Sequence, residues 1–188
     1  AWAAWQARLL DHRKARDASI ARLAFPYPEY RPGQREMAAQ VYTAITRRKR
    51  LFAVMPTGTG KSAAVLYPAL KALEQGHSRQ VFCLSARGTQ QLSMQNEIAR
   101  MRGQGLRLHA LTLYAKEKLC PMEQVRCHPE YCPRADGHYD RQRAALEEAL
   151  DSENWELPWL LAAAEKHRLC PFEFSLALCE LADSVVCD

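Results

Sequence analysis

Two groups of residues in this chain have the types and spacing that chemistry needs. The first is Pro56-Thr57-Gly58-Thr59-Gly60-Lys61-Ser62, which ends in the Gly-Lys-Ser of a phosphate-binding loop. Glycines there let the backbone turn so that successive N–H groups converge on an anion, a conformation that a Cβ would forbid. A helix beginning at the lysine adds the positive end of its dipole. In such a loop Lys61 reaches the β- and γ-phosphates of a nucleotide, and the Ser62 hydroxyl ligates Mg²⁺. Thr57, Gly58, Thr59, Gly60, Lys61 and Ser62 are therefore the candidate ATP contacts, with Lys61 and Ser62 the candidate catalytic pair. The wider form of the motif has Gly where this chain has Met55, so the match is imperfect.

The second group is Cys120, Cys127, Cys132 and Cys170, separated by 6, 4 and 37 residues. Proline follows each at the next position or one further on: Pro121, Pro129, Pro133 and Pro171. A proline beside a ligand restricts the backbone, and Cys-Pro also closes a ferredoxin cluster motif. Four thiolates hold either a [4Fe–4S] cluster or a tetrahedral zinc. Structural zinc usually takes its cysteines in close pairs, about two to four residues apart. No Cys-x-x-Cys pair occurs here, so the spacing leans toward iron–sulfur and leaves zinc open. His128 and His138 are read as non-ligands, because four cysteines already fill either site. Cys83, Cys179 and Cys187 lie in apolar contexts and read as small core residues.

The elements that must position these groups follow from periodicity. Apolar residues at helical spacing predict a helix over residues 1–24, which Pro26 and Pro28 end. A second helix is expected over 34–48. The wholly apolar run Leu51-Phe52-Ala53-Val54-Met55 predicts a buried parallel strand. A helix to about Leu73, a strand over 80–84, a helix over 89–101 and a strand over 106–113 follow. Alternation of strand and helix implies an α/β fold with a mostly parallel sheet. From Tyr114 the composition changes, and alternation resumes only at Ser184-Val185-Val186-Cys187.

Pro-Thr-Gly-Thr-Gly-Lys-Ser resembles motif I of the superfamily 2 helicases. Upstream, Phe25-Pro26-Tyr27 and Tyr30-Arg31-Pro32-Gly33-Gln34 resemble the adenine-reading segment of the iron–sulfur helicases, the XPD/DinG-like family. Downstream, Leu84-Ser85-Ala86-Arg87-Gly88-Thr89-Gln90 resembles motif Ia. The run from Cys127 to Pro133, then Gly137-His138-Tyr139-Asp140-Arg141, and later Cys170-Pro171-Phe172, is similar to the cluster domain of bacterial DinG-like helicases. The resemblance implies that Gln34 reads the adenine edge, where an amide offers a donor and an acceptor together. It implies that Arg87 and Thr89 touch the single-strand backbone, contacts that position without reading sequence. Thr89 is equally placed to cap a helix.

By that resemblance the fold is a P-loop NTPase (RecA-like) parallel sheet, incomplete and interrupted by a mainly helical insertion that holds a structural 4Fe-4S cluster. Residues 1–24 are then an N-terminal helix and linker, and 25–113 the first part of motor domain 1. Residues 114–171 are the cluster domain, and 172–188 return to the motor, ahead of its Walker B acidic motif. The implied activity is ATP-driven translocation on single-stranded DNA and unwinding of forked duplex, 5′ to 3′, by a monomeric motor that uses ATP and Mg²⁺. A start at Ala1 and the lack of a following catalytic carboxylate lead to the expectation that residues 1–188 are a fragment. Alone it would bind ATP weakly and not hydrolyse it.

Two other classes stay open. One is a zinc-stabilised P-loop ATPase that clamps nucleic acid without unwinding it. The other is a redox sensor whose cluster gates DNA binding. The net charge of +5 favours an anionic partner only modestly. Arg126, Arg134, Arg141 and Arg143 flank the cysteines and serve equally as phosphate contacts or as solvated surface. No apolar run is long enough to span a membrane and no signal peptide is visible. Seven cysteines, an odd number, argue against a fully paired secreted framework, and with the P-loop point to the cytoplasm.

Overall fold

The computed structural model describes residues 2–86, 88–152 and 154–187. Eight helices and three strands follow in the order α1 (Trp2–Arg22), α2 (Gln34–Thr46), α3 (Lys61–Glu74), β1 (Val81–Leu84), α4 (Gly88–Arg102), β2 (Ala110–Thr112), α5 (Lys116–Leu119), α6 (His138–Ala149), α7 (Leu157–Lys166), α8 (Pro171–Cys179) and β3 (Ser184–Cys187). The sheet is parallel, in the order β1-β3-β2. β3 is the central strand, with Val185 opposite both Phe82 and Leu111. This is an α/β fold of P-loop type.

Adjacent residues of a strand point to opposite faces, and β3 uses this to join two apolar interiors. Val185 packs with Leu111, Trp155, Leu160, Phe174 and Leu178 on the side of α7 and α8. Val186 packs with Ile20, Leu66, Leu70 and Met101 on the side of α1, α3 and α4. α3 is the most enclosed helix of the second interior, burying Ala63, Ala64, Leu66, Ala69, Leu70, Ala72 and Leu73. Its packing keeps it helical through Pro68, which cannot donate the usual backbone bond.

The whole cysteine-bearing stretch lies in the crossover from β2 to β3. Its interior is continuous with α8 and the strands. Trp155 is buried there: it bridges to Leu111, donates Nε1–H to the Ala149 carbonyl at 3.0 Å, and stacks on His109 at 4.3 Å.

The run Leu51–Met55 departs from expectation. Among the described residues no strand pairs with it, and Phe52 and Val54 are 92% and 100% exposed. Hydrophobicity supplies the side chains of a buried strand, but a strand also needs a neighbour's N–H and C=O groups. Those neighbours are absent here, since β1, β3 and β2 pair only with one another and, at Leu111, with Trp155. The strand expected over 106–113 is also shorter, only Ala110–Thr112.

Candidate nucleotide site and cysteine pocket

The glycine loop leads into α3 by two left-handed residues, Gly58 at φ 79° and Gly60 at φ 76°. No side chain caps the α3 N-terminus, so its first backbone N–H groups face outward as an anion site does. Thr59 closes the loop on itself, its hydroxyl donating to the Pro56 carbonyl at 2.9 Å. The Lys61 ammonium lies back along the loop, donating to the carbonyls of Pro56 at 2.8 Å and Met55 at 3.2 Å. Reaching a phosphate exchanges these neutral acceptors for an anionic one, a stronger charge-assisted pair. Thr57 is exposed at the start of the turn.

Gln34 sits behind this loop, 1% exposed. Its amide nitrogen donates to the Gly60 carbonyl at 2.9 Å and its oxygen accepts the Arg31 backbone N–H at 2.9 Å. The Arg31 guanidinium donates to the Gly58 carbonyl. One N–H of the Gln34 amide thus braces the loop at Gly60, and one lone pair of its oxygen holds the turn at Arg31. Phe25 stacks on Tyr30 at 3.9 Å and meets Tyr67 edge-on at 5.6 Å, an aromatic group just upstream of the brace.

The Ser62 hydroxyl lies 2.8 Å from that of Ser93 on α4, so α3 and α4 begin side by side. Thr89 is exposed in the first turn of α4, beyond the C-terminal end of β1. Open α/β sheets bind ligands at that end. Arg87 lies outside the described residues.

Three of the four expected cysteine ligands converge. Cys127, Cys132 and Cys170 line one cavity of about 200 Å³, together with Arg134, His138 and Glu173. Cys132 is held by a turn in which its N–H donates to the His128 carbonyl at 2.8 Å. Cys170 immediately precedes α8, with Pro171 at the first helical position. Cys120 caps the C-terminal end of α5, half-buried, and does not line that cavity. Among the described residues no three cysteine sulfurs lie within 4.8 Å of one another.

The Lys116 ammonium stands 3.7 Å from the Cys127 sulfur and 2.8 Å from Glu173, whose hydrogen bond raises the lysine's pKa. Arg134 donates to the Leu169 carbonyl at 2.9 Å, and Arg141 to the Arg168 carbonyl at 2.9 Å. Arg134, just after Cys132, and Arg141, on α6, both hold the turn before Cys170. Arg126 lies over the Tyr131 ring and Arg143 pairs with Glu147. Cys83 is buried in the second interior, and burial pushes its thiol up to about 11, that of an inert core residue.

The family profile of the DEAD/DEAH box helicases matches residues 31–124, half of the chain. The chain belongs to that family. The matched stretch contains Gln34, the glycine loop, Thr89 and Cys120, and stops short of the three cysteines that converge. A probable ATP-dependent helicase of Methanocaldococcus jannaschii is 32% identical over 78 residues, which is 42% of this chain and 12% of that protein. No solved structure matches.

This helicase chain carries a second polar cluster, which sequence reasoning missed. Asp183, just before β3, accepts from His12 at 2.7 Å, from Arg16 at 2.6 Å and from the His109 backbone N–H at 2.9 Å. Burial pushes the Asp183 carboxyl up, but His12 and Arg16 outweigh it and hold it below its usual value. Burial, reinforced by His12, lowers His109 to about 3. Ligand atoms of His12, His109 and Asp183 all lie within 4.8 Å of one another. The two imidazoles, however, stack at 3.5 Å with their planes only 2° apart. A metal binds in the plane of each ring, and parallel planes do not meet. The geometry suits an ion-paired latch that fastens α1 to the sheet.

Proposed function

We propose that this chain is the ATP-binding part of the first motor domain of an iron–sulfur DNA helicase of the XPD/DinG type. The observation that carries the reading is the convergence of Cys127, Cys132 and Cys170 on one cavity, in a crossover between strands of the same sheet that α3 packs against. The family match by itself gives a helicase. The cysteine pocket is what supports this type over the rest.

Four thiolates suit either an iron–sulfur cluster or zinc; the long spacing to Cys170 and the resemblance of the cysteine run to the cluster domain of DinG-like helicases favour the cluster. Cys127, Cys132 and Cys170 would hold a [4Fe–4S] group, with Cys120 the fourth ligand. Such a group, when bound, supplies iron–thiolate crosslinks and no redox step that ATP-driven movement needs.

The chain's own residues do the rest. The Gly58–Ser62 backbone and the α3 N-terminus cradle the ATP phosphates, Lys61 pairs with them, and Ser62 ligates Mg²⁺. Gln34 holds the loop in its binding shape. Thr89 and Arg87 are the residues expected to touch the single-stranded DNA backbone, and the cysteine lobe serves as the wall where a forked duplex parts. Movement is 5′ to 3′, by a monomeric motor.

The test is strand displacement by the full-length protein. We expect ATP hydrolysis stimulated by single-stranded DNA, and unwinding of a forked duplex with a 5′ tail, both lost in Lys61→Ala. Hydrolysis without strand displacement on any fork would make the protein a clamp rather than a helicase.

A further inference from the structure

His138 opens α6 and lines the cysteine cavity with its ring 5% exposed. Its Nδ1 accepts the backbone N–H of Cys170 at 3.4 Å. In the tautomer whose Nδ1 accepts, the neutral ring carries its proton on Nε2. That Nε2 is buried and has no hydrogen-bond partner among the described residues. A buried donor left unpaired loses its hydration with nothing in return, so such an atom beside three thiols needs an explanation.

Two cations at the cavity have partners of their own. Arg134 bonds the Leu169 carbonyl and Glu165. Lys116 bonds Glu173 and approaches Cys127. His138 Nε2 is a buried lining nitrogen with no hydrogen-bond partner among the described residues, and cysteinate or bridging sulfide is the acceptor this cavity would offer once loaded.

We propose that His138 is a positioning and tuning residue that donates Nε2–H to a sulfur of the iron–sulfur group held by Cys127, Cys132 and Cys170. The inference rests on the iron–sulfur reading above. A donated hydrogen bond withdraws electron density from the sulfur and raises the reduction potential. The same ring, through Nδ1, orients the Cys170 backbone, as outer partners of metal ligands do.

The experiment is a potentiometric titration of full-length protein, anaerobically reconstituted with iron and sulfide, as wild type, His138→Leu and His138→Gln. We expect all three to retain iron. His138→Leu should shift to a more negative potential, and His138→Gln, whose amide N–H reaches the place of Nε2, should return most of the shift. An unchanged potential in iron-loaded His138→Leu overturns the proposal. Loss of iron from both variants also overturns it, because His138 would then be a ligand. Should His138→Leu fail to fold, the reduced wild type labelled with ¹⁵N-histidine decides. A weak nitrogen coupling and a solvent-exchangeable proton coupling are expected, and absence of both refutes the hydrogen bond. A wild type that takes up no iron defeats the iron–sulfur reading itself and the inference with it, an outcome distinct from the others because they all require a loaded wild type.

Discussion

At Gly60 the loop has no freedom to accept a side chain. Its φ of 76° is left-handed, and a Cβ would stand 2.4 Å from the Gln34 amide nitrogen. Gly58 has a similar φ of 79°, but a Cβ there meets nothing within 4 Å. Left-handed backbone costs a non-glycine residue about 1–2 kcal/mol, so Gly58→Ala should lose about that much stability. Gly60→Ala should lose more and should also weaken ATP binding, because Gln34 must leave its place behind the loop. Urea unfolding midpoints and a fluorescent-nucleotide titration of the two variants check this, and equal losses would remove Gln34 from its bracing role. The glycines, Lys61 and Ser62 are legible in sequence because the chemistry of the loop is local. The use of Gln34 is not, since whether its amide meets a base or the Gly60 carbonyl depends on how α2 packs against α3.

Among the elements, α1 is fastened to the sheet by His12 and Arg16 on Asp183. Removing one member of a buried charged network costs about 3–5 kcal/mol, so Asp183→Asn should unfold at markedly lower urea. The pH dependence has a definite sign. His109 is lowered from 6.5 to about 3 in the fold, so the unfolded chain binds the proton more readily between those values. Its contribution to stability is complete above about 6.5 and falls as pH drops toward 3. Asp183, also lowered, adds loss in the same direction below the ordinary carboxylate range. Stability should therefore decline from pH 6.5 downward, and His109→Phe, which keeps a ring in the stack, should flatten the upper part of that decline. A decline of the same steepness in the variant would show that another group is responsible. This latch was invisible in sequence because its partners lie 171 and 74 positions apart. Helices α1 to α4 were legible from the spacing of their apolar residues. The Leu51–Met55 strand was misread because burial of a strand depends on neighbours, which periodicity does not report.

At the scale of the whole molecule, one sheet serves two interiors. The α3 and α4 face belongs to the DEAD/DEAH box helicase family, and the α7 and α8 face supports the cysteine lobe. Val185 and Val186 at the centre of β3 connect them. On the proposed reading, a lobe seated on that shared strand transmits motor closure to the point where DNA strands part. Prolines and spacing single out four cysteines, whereas three of them share a cavity and Cys120 does not line it; sequence does not report this, since the 37 residues before Cys170 fold back through α6 and α7. No described helix is long and apolar enough to cross a membrane. The central claim is that the cysteine pocket holds an iron–sulfur group, and metal analysis of anaerobically purified full-length protein tests it most directly. About four irons and about four acid-labile sulfides per chain are the expected result. About one zinc per chain, with no iron taken up on reconstitution with iron and sulfide, would contradict it.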